Sequence, residues 1–148
     1  MENTVAEGQK SESYGGFMAA IDSTFVIEVS VISQAKAGSK SCAIFALGKP
    51  AQSTTMNKLS RVGIDDNNCD QDLLQIVNSE LELENVRIRD NVMSSGTNGI
   101  TAVNSKLILR NLEVLSTKEQ IEKSEITAEV GFLSLFEGSE LDLQSSRF

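Results

Sequence analysis

Apolar and polar residues alternate with a period of two along the segment VNSELELENVRIRDN, residues 77–91. This alternation predicts β-strands, because successive side chains of a strand point to opposite faces. The apolar positions change parity at Asn85. Leu81 and Leu83 lie before it, and Val86 follows it directly. The pattern therefore predicts two short strands that are joined by a sharp corner at Asn85.

The same pattern recurs along the chain. The nine residues VNSKLILRN at 103–111 repeat VNSELELEN at 77–85, with six of nine positions identical and an offset of 26 residues. Weaker copies lie at residues 20–27 and 136–143, and residues 43–47 match residues 17–21 at an offset of 26. A repeat of this length, with strand rather than helix periodicity, predicts a solenoid in which each coil stacks on the previous one.

The repeat fits a parallel β-helix better than the competing solenoid classes. Helical repeats need apolar residues at a period of 3.6, which the copies lack. Leucine-rich repeats need an Asn three places after the last leucine and a helical half, whereas Asn85 and Asn111 follow Leu83 and Leu109 by two places. We therefore predict an all-β fold, a parallel β-helix solenoid of about five coils of roughly 26 residues, the last incomplete and the ends uncapped.

The predicted organisation begins with an irregular polar lead-in over residues 1–14, followed by a β-helix segment over 15–148. Whether this segment is a fragment of a longer solenoid is left open by the sequence. The coils are predicted near residues 16–41, 42–71, 72–98, 99–130 and 131–148. The fourth coil is longer than the others, and its polar segment 117–126 is compatible with a short helix.

Asparagine suits the corners of such coils because it tolerates the left-handed backbone conformation and can bond the amide stacked above it. We predict Asn85 and Asn111 at equivalent corners of successive coils, and Asn78 and Asn104 at a second corner. The first coil has Val29 where the corner Asn is expected, so the pattern does not predict its bend.

Charge and composition limit the classes of function that the chain is expected to have. The net charge is −8, and the segment 65–91 has eight acidic residues against Arg87 and Arg89, which disfavours nucleic-acid binding. No apolar run reaches membrane-spanning length, so we predict no membrane span. The first residues lack the basic and apolar regions of a signal peptide, which leaves secretion open if the chain is a fragment.

The two cysteines, Cys42 and Cys69, are too few for a disulfide scaffold and too far apart for a metal or redox CxxC site. Their separation of 27 residues is close to one coil. When the repeats are aligned on their recurring serines, however, Cys42 aligns with Asp72, three residues after Cys69. Two buried thiols and a single disulfide therefore both remain open.

The densest group of oxygen ligands is DDNNCDQD at residues 65–72, in which Asp66, Asn68, Asp70 and Asp72 alternate as weak Ca²⁺ candidates. The segment lacks the glycine and the bidentate glutamate of a calcium-binding EF-hand loop. A solvated loop is the favoured interpretation, and we predict neither a metal nor a cofactor.

A charged ladder is predicted on the outer face of the repeat. Three acidic residues of one copy face two basic residues and an isoleucine of the next: Glu80, Glu82 and Glu84 against Lys106, Ile108 and Arg110. Opposite charges across a strand pair stabilise it modestly. The pattern thus favours a solvated, register-fixing face over a binding site.

The stretches GGFMAAIDSTFVI at 15–27 and IVNSELELENVRIRDN at 76–91 resemble repeats of right-handed parallel β-helix proteins of the pectin-lyase-like class. They are most similar to repeats of large surface proteins, such as bacterial polymorphic membrane adhesins and ciliate β-helix surface proteins. The chain departs from that pattern by having a single Gly-Gly pair and a corner reduced to IRDN at 88–91.

This resemblance implies a non-catalytic structural or interaction module of a surface, adhesive or filamentous assembly, with an extracellular or cell-surface location. The implied partner is protein, through end-to-end β-helix contacts or the rest of a longer chain, and carbohydrate is a further candidate. The alternative is a polysaccharide lyase or hydrolase, or a polysaccharide-binding domain. We predict no enzyme, because the chain has no histidine and adjacent Asp65 and Asp66 point to opposite faces of a strand.

Overall fold

The computed structural model describes residues 5–6, 10–11, 16–37, 40–48, 56–94, 97–115, 118–120 and 132–148. Within these ranges the chain forms eighteen strands and no helix, which confirms the predicted all-β class. The strands are β1 (Val5–Ala6), β2 (Lys10–Ser11), β3 (Met18–Ile21), β4 (Val26–Ser33), β5 (Lys36–Ala37), β6 (Ser41–Leu47), β7 (Met56–Asp65), β8 (Asn68–Cys69), β9 (Asp72–Val77), β10 (Glu80–Glu84), β11 (Arg87–Arg89), β12 (Val92–Ser94), β13 (Ile100–Val103), β14 (Lys106–Arg110), β15 (Glu113–Leu115), β16 (Lys118–Gln120), β17 (Leu133–Phe136) and β18 (Glu140–Gln144).

The named strands pair only in parallel, as the repeat predicts. The first sheet has the order β1-β4-β7-β10-β14-β18, with β11 paired to β7 and β15; the second is β17-β13-β9-β6-β3; the third is β16-β12-β8; and β2 pairs with β5. Paired strands are not neighbours in sequence, because parallel strands need a long connection between them. Pairing of β10 with β14 aligns Leu83 with Leu109, the register of the sequence repeat.

Left-handed backbone conformations recur at equivalent positions of successive repeats. One set, with φ between 46° and 56°, lies between paired segments of the first sheet: Val29, Arg61, Asn85, Asn111 and Ser145. A second set lies just before the strands of the first sheet in each repeat and comprises Asp22, Asn78, Asn104 and Glu137. A third set lies just after these strands and comprises Gln34, Asp66 and Asp90. The four asparagines proposed as corners all have this conformation, and Val29 shares it.

The core consists of apolar columns that run across the paired strands. The register stacks Ile27, Leu59, Leu83 and Leu109, each with 0% exposure. Beyond the bend at Asn85, the side chains of Ile64 and Ile88 form another fully buried column. Leu59, Leu83 and Ile88 of these columns have a paired residue in the strand before and in the strand after them.

Two segments differ from the sequence prediction. Within the lead-in expected to be irregular, β1 and β2 form and pair with β4 and β5. In the segment compatible with a short helix, Lys118–Gln120 is instead a strand that pairs with β12, and the remainder of 117–126 lies outside the described residues. In the part of the chain that is described, no helix is long and apolar enough to cross a membrane.

Candidate functional site

The most distinctive surface lies where the first and second sheets end. Among the described residues, β18 pairs only with β14, and β17 only with β13. Leu143 stacks on Leu109, and Leu141 on Leu107. Leu109 and Leu107 are fully buried, whereas Leu143 is 48% and Leu141 38% exposed. The apolar columns of the core therefore emerge uncovered on the last strands.

The backbone of β18 is available on the same side. The Glu140 N–H donates to the Ser105 carbonyl at 2.9 Å, and the Gln144 carbonyl accepts from the Asn111 N–H at 2.9 Å. Backbone groups of alternate residues in a parallel strand face opposite neighbours, so those of Leu141 and Leu143 face away from β14. We call this surface the open end, formed by the exposed apolar side chains Leu135, Phe136, Leu141, Leu143 and Phe148 together with the free edge of β18.

Aromatic packing holds the last strands against the preceding repeat. The rings of Phe132 and Phe148 lie 5.9 Å apart at an interplanar angle of 58°. A Cβ atom at Gly99 would overlap the Phe132 ring, so the absence of a side chain at Gly99 lets this ring pack closely. Ser139 adds polar contacts, since its Oγ accepts a bond from the Ser105 N–H at 3.1 Å. The last strands therefore pack against the preceding repeat through the Phe132 ring and the Ser139 hydroxyl group.

A charged ladder crosses the outer face of the first sheet towards the open end. The Glu82 carboxylate is 7% exposed and lies between Lys58, whose Nζ is 3.4 Å away, and Arg110, with which it forms an ion pair. The same Lys58 Nζ lies 2.7 Å from the Glu84 carboxylate. Hydrogen bonding to Lys58 lowers the pKa of Glu84, and hydrogen bonding to Glu84 raises the pKa of Lys58.

The ladder has the predicted register but a diagonal pattern of contacts. Glu80, Glu82 and Glu84 align with Lys106, Ile108 and Arg110 as the repeat predicts. The ion pair of Arg110 is with Glu82 rather than with Glu84, its aligned partner. The ladder continues onto β18, where Glu140 aligns with Lys106, Asp142 with Ile108 and Gln144 with Arg110.

The structure also contains buried asparagines that sequence reasoning missed. Asn67 and Asn91, 1% and 0% exposed, form a ladder in which Asn67 Nδ2 donates to Asn91 Oδ1 at 2.8 Å. Asn91 Nδ2 donates in turn to the Ile64 carbonyl at 2.8 Å. Their signal was the recurrence of IDDN at 64–67 as IRDN at 88–91. Because buried amides must be hydrogen-bonded, this ladder fixes how successive repeats align at the third corner.

Asn57 is a second polar residue inside the core that the sequence did not reveal. It occupies the column of Leu81 and is 0% exposed. Its Nδ2 donates to Ser79 Oγ at 2.8 Å and to the Glu80 carbonyl at 3.0 Å, and its Oδ1 accepts from the Phe25 N–H at 3.2 Å. These contacts tie three successive repeats together.

The two exposed asparagine ladders have the amide contacts expected at stacked corners. Asn104 Nδ2 donates to Asn78 Oδ1 at 2.8 Å, and Asn111 Nδ2 donates to Asn85 Oδ1 at 2.7 Å. Each pair spans 26 residues of sequence. At these four asparagines the left-handed backbone conformation therefore occurs together with an amide hydrogen bond between repeats.

Cys42 and Cys69 are joined by a disulfide with a Cα–Cα distance of 5.2 Å. Of the two interpretations that the sequence left open, the structure has the bridge rather than two buried thiols. Cys42 lies in β6 and Cys69 in β8, which belong to different sheets. The bridge therefore links two faces of the fold instead of stacking along one column.

The weak calcium candidates are engaged in contacts between repeats. Asp70 accepts a bond from Ser94 Oγ at 3.0 Å, and Asp72 accepts one from the Asn98 N–H at 2.7 Å. Asp66 has the left-handed corner conformation and Asn68 is exposed. In the described ranges no group of three or more His, Cys, Asp or Glu side chains is arranged to hold a metal ion.

Comparison of the chain with protein-family models, with curated proteins and with solved structures gives no match. The geometry of the chain itself is therefore the basis for inferring its function.

Proposed function

We propose that the chain is a parallel β-helix solenoid of about five coils that serves as a non-catalytic structural or interaction module in a surface, adhesive or filamentous assembly. Two features support the solenoid. Strands pair across one repeat in the first, second and third sheets, and the left-handed corners recur at equivalent positions. The surface setting rests on the resemblance of residues 15–27 and 76–91 to repeats of large surface proteins.

The exposure of the core columns at the open end is the observation that carries the proposed function. Leu143 occupies the same column as Leu109 but is 48% exposed. Fully covering a leucine side chain is worth about 1.5–3 kcal/mol, and an unpaired strand edge is a template for a further strand. A partner that stacks on β17 and β18 gains both contributions, which makes the open end the working surface of the module.

The solenoid is tested by lengthening it. A second copy of residues 79–104, inserted between Asn104 and Ser105, adds one period while keeping the serine and asparagine positions in register. We expect the longer chain to fold in one cooperative transition and to unfold at a higher temperature, because each coil adds an interface with its neighbour. A matched insertion of the same residues in scrambled order is the control, and equal destabilisation by both insertions contradicts the solenoid.

The interaction function is tested by site-specific crosslinking. A photoreactive benzophenone amino acid at Leu143 is expected to form an adduct with another polypeptide in cells of the source organism. The same group at Asp90, an exposed corner position remote from the open end, serves as the control. Adducts with polysaccharide, equal adducts at both positions, or cleavage of an acidic polysaccharide by the purified chain contradict the proposal.

A further inference from the structure

Resting on the proposed function, we propose that the open end accepts a parallel strand of a partner polypeptide with basic side chains on its outer face and apolar side chains on its inner face. The charges along the first sheet and the orientation of the β18 backbone specify the chemistry of this partner.

Acidic and basic strands alternate around β10 in the first sheet. The acidic strand β10 is flanked on both sides by strands with basic residues, Lys58 in β7 and Lys106 and Arg110 in β14. Glu82 and Glu84 form ion pairs with these neighbours. The strand β18 has Glu140 and Asp142 on the same outer face, but it has a basic neighbour only on the β14 side among the described residues. No described strand lies on its other side, where β10 has the basic strand β14.

The inner face and the backbone specify the rest of the partner strand. Leu141 and Leu143 continue core columns whose other paired residues are leucine or isoleucine, except for Asn57 in the Leu141 column. Their N–H and C=O groups face the free edge and can bond an added strand as one sheet edge bonds another. The partner therefore alternates basic and apolar residues. The protein's own β14 has basic residues at two of its three outer positions, Lys106 and Arg110, and Ile108 at the third.

A second copy of this chain fits the open end less well. In each copy β1 already pairs with β4 at Val31 and Ile32, and Ile27 is 0% exposed. The strand β4 of a second copy therefore cannot lie directly on β18 unless β1 is displaced. A separate basic strand needs no such displacement and places opposite charges beside Glu140 and Asp142.

Two peptides copied from residues 104–112 test the inference. One has the change Ile108→Lys, which gives basic residues at all three outer positions. The other has Lys106→Glu, Ile108→Glu and Arg110→Glu, so that the two peptides share every inner residue and differ only in outer charge. Fluorescence anisotropy at low salt is expected to show at least about tenfold tighter binding of the basic peptide, because two attractive contacts replace two repulsive ones. The preference should shrink as ionic strength rises.

Variants of the protein show which of its carboxylates cause the preference for the basic peptide. Glu140→Gln with Asp142→Asn removes the two carboxylates of β18 and is expected to abolish the preference for the basic peptide. Asp66→Asn with Asp90→Asn removes the same charge at corner positions where asparagine tolerates the backbone, and it is expected to retain the preference. Hydrogen exchange should show protection of the Leu141 and Leu143 amides only when the basic peptide is bound.

The outcomes separate this inference from the proposed function. Equal binding of both peptides, or a preference that survives Glu140→Gln with Asp142→Asn, overturns the basic partner. Concentration-dependent self-association that Leu143→Ser abolishes identifies a second copy as the occupant; it overturns the inference and leaves the interaction function standing. Absence of peptide binding together with absence of adducts at Leu143 overturns both.

Discussion

Leu109 and Leu143 share one column of the structure but differ in their environment. Both lie in strands of the first sheet at aligned positions, yet Leu109 is 0% and Leu143 48% exposed. The local sequences are alike, KLILR in β14 and ELDLQ in β18. The difference arises because β14 has a neighbouring strand on each side, whereas β18 has one on a single side among the described residues. The same pattern therefore forms buried core where strands lie on both sides and an exposed apolar surface at β18.

The largest expected effect comes from truncating these two leucines. Leu109→Ala should lower the free energy of unfolding by about 4 kcal/mol, because it leaves a cavity in a fully buried column. Leu143→Ala should cost about 1 kcal/mol, since its side chain is already half in water. Urea unfolding of both variants measures the difference. Equal losses would show that the last strands are covered in solution and would break the comparison.

The disulfide contrasts a covalently closed part of the fold with the open end. Cys42→Ala with Cys69→Ala should lower the free energy of unfolding by about 3 kcal/mol, because the bridge closes a loop of 27 residues. Reductant should lower the thermal midpoint of the parent chain and leave that of the variant unchanged. Hydrogen exchange should increase in β6 and β8 and change little in β18. A uniform increase in exchange would show that the two regions unfold as one unit.

Two variants at Asn85 distinguish the contribution of its backbone conformation to stability from that of its side-chain hydrogen bond. Asn85→Leu should cost about 2 kcal/mol, because a leucine at a φ of 53° is strained and the bond with Asn111 is lost. Asn85→Gly tolerates that φ and loses only the amide bond, so about 1 kcal/mol is expected. Thermal unfolding of the two variants gives both values. If Asn85→Leu is neutral, the corner does not depend on asparagine.

A substitution at Val29, the equivalent corner position in β4, should change stability in the opposite direction. Val29 has a φ of 46°, a conformation that a β-branched residue adopts only under strain. Val29→Asn is therefore expected to stabilise the chain by about 1 kcal/mol. Val29→Thr retains the β-branch and should give no gain. Destabilisation by Val29→Asn would show that the exposed valine makes contacts that outweigh its strain.

Much of the central fold could be predicted from sequence because the repeat is explicit there. The copies at residues 77–85 and 103–111 fix the alignment of Leu83 with Leu109, and the change of parity locates the bend at Asn85. Both signals are local, since each depends on alternation within a strand and on one corner residue. The all-β class and the parallel register followed from them.

The rest depends on which residues meet in three dimensions. Asn57 interrupts an apolar column, and only its bonds to Phe25, Ser79 and Glu80 explain its burial. The disulfide was left open because the stacking argument compares positions within one sheet, whereas β6 and β8 belong to different sheets. The pairing of β6 with β9 also shifts register between Ser41 and Ile44, which a constant period cannot reveal.

The smallest expected effect concerns the charges of the ladder. The strand β10 has basic neighbours on both sides, whereas β18 has them on one side among the described residues. Glu84 has its pKa lowered from the ordinary value of 4.5 by a hydrogen bond from Lys58, so its contribution to stability is present above that value and is lost as pH falls through the lowered pKa. The pKa of Lys58 is raised from 10.5, so its contribution is present below that value and is lost as pH rises through the raised pKa.

The contact is tested by changing its cation. Lys58→Met should move the Glu84 midpoint, followed by NMR of the carboxyl carbon, up towards its ordinary value, because Lys58 is the main cause of the shift. Lys106→Met removes a cation of the next strand that is not a cause of the shift, and it should leave the midpoint unchanged. Both effects should weaken in high salt, because the side chains of the pair are partly exposed and exposed charges are screened. An unchanged Glu84 midpoint in Lys58→Met would show that the ladder does not persist in solution. The charge-based choice of partner at β18 would then lose its precedent within the sheet.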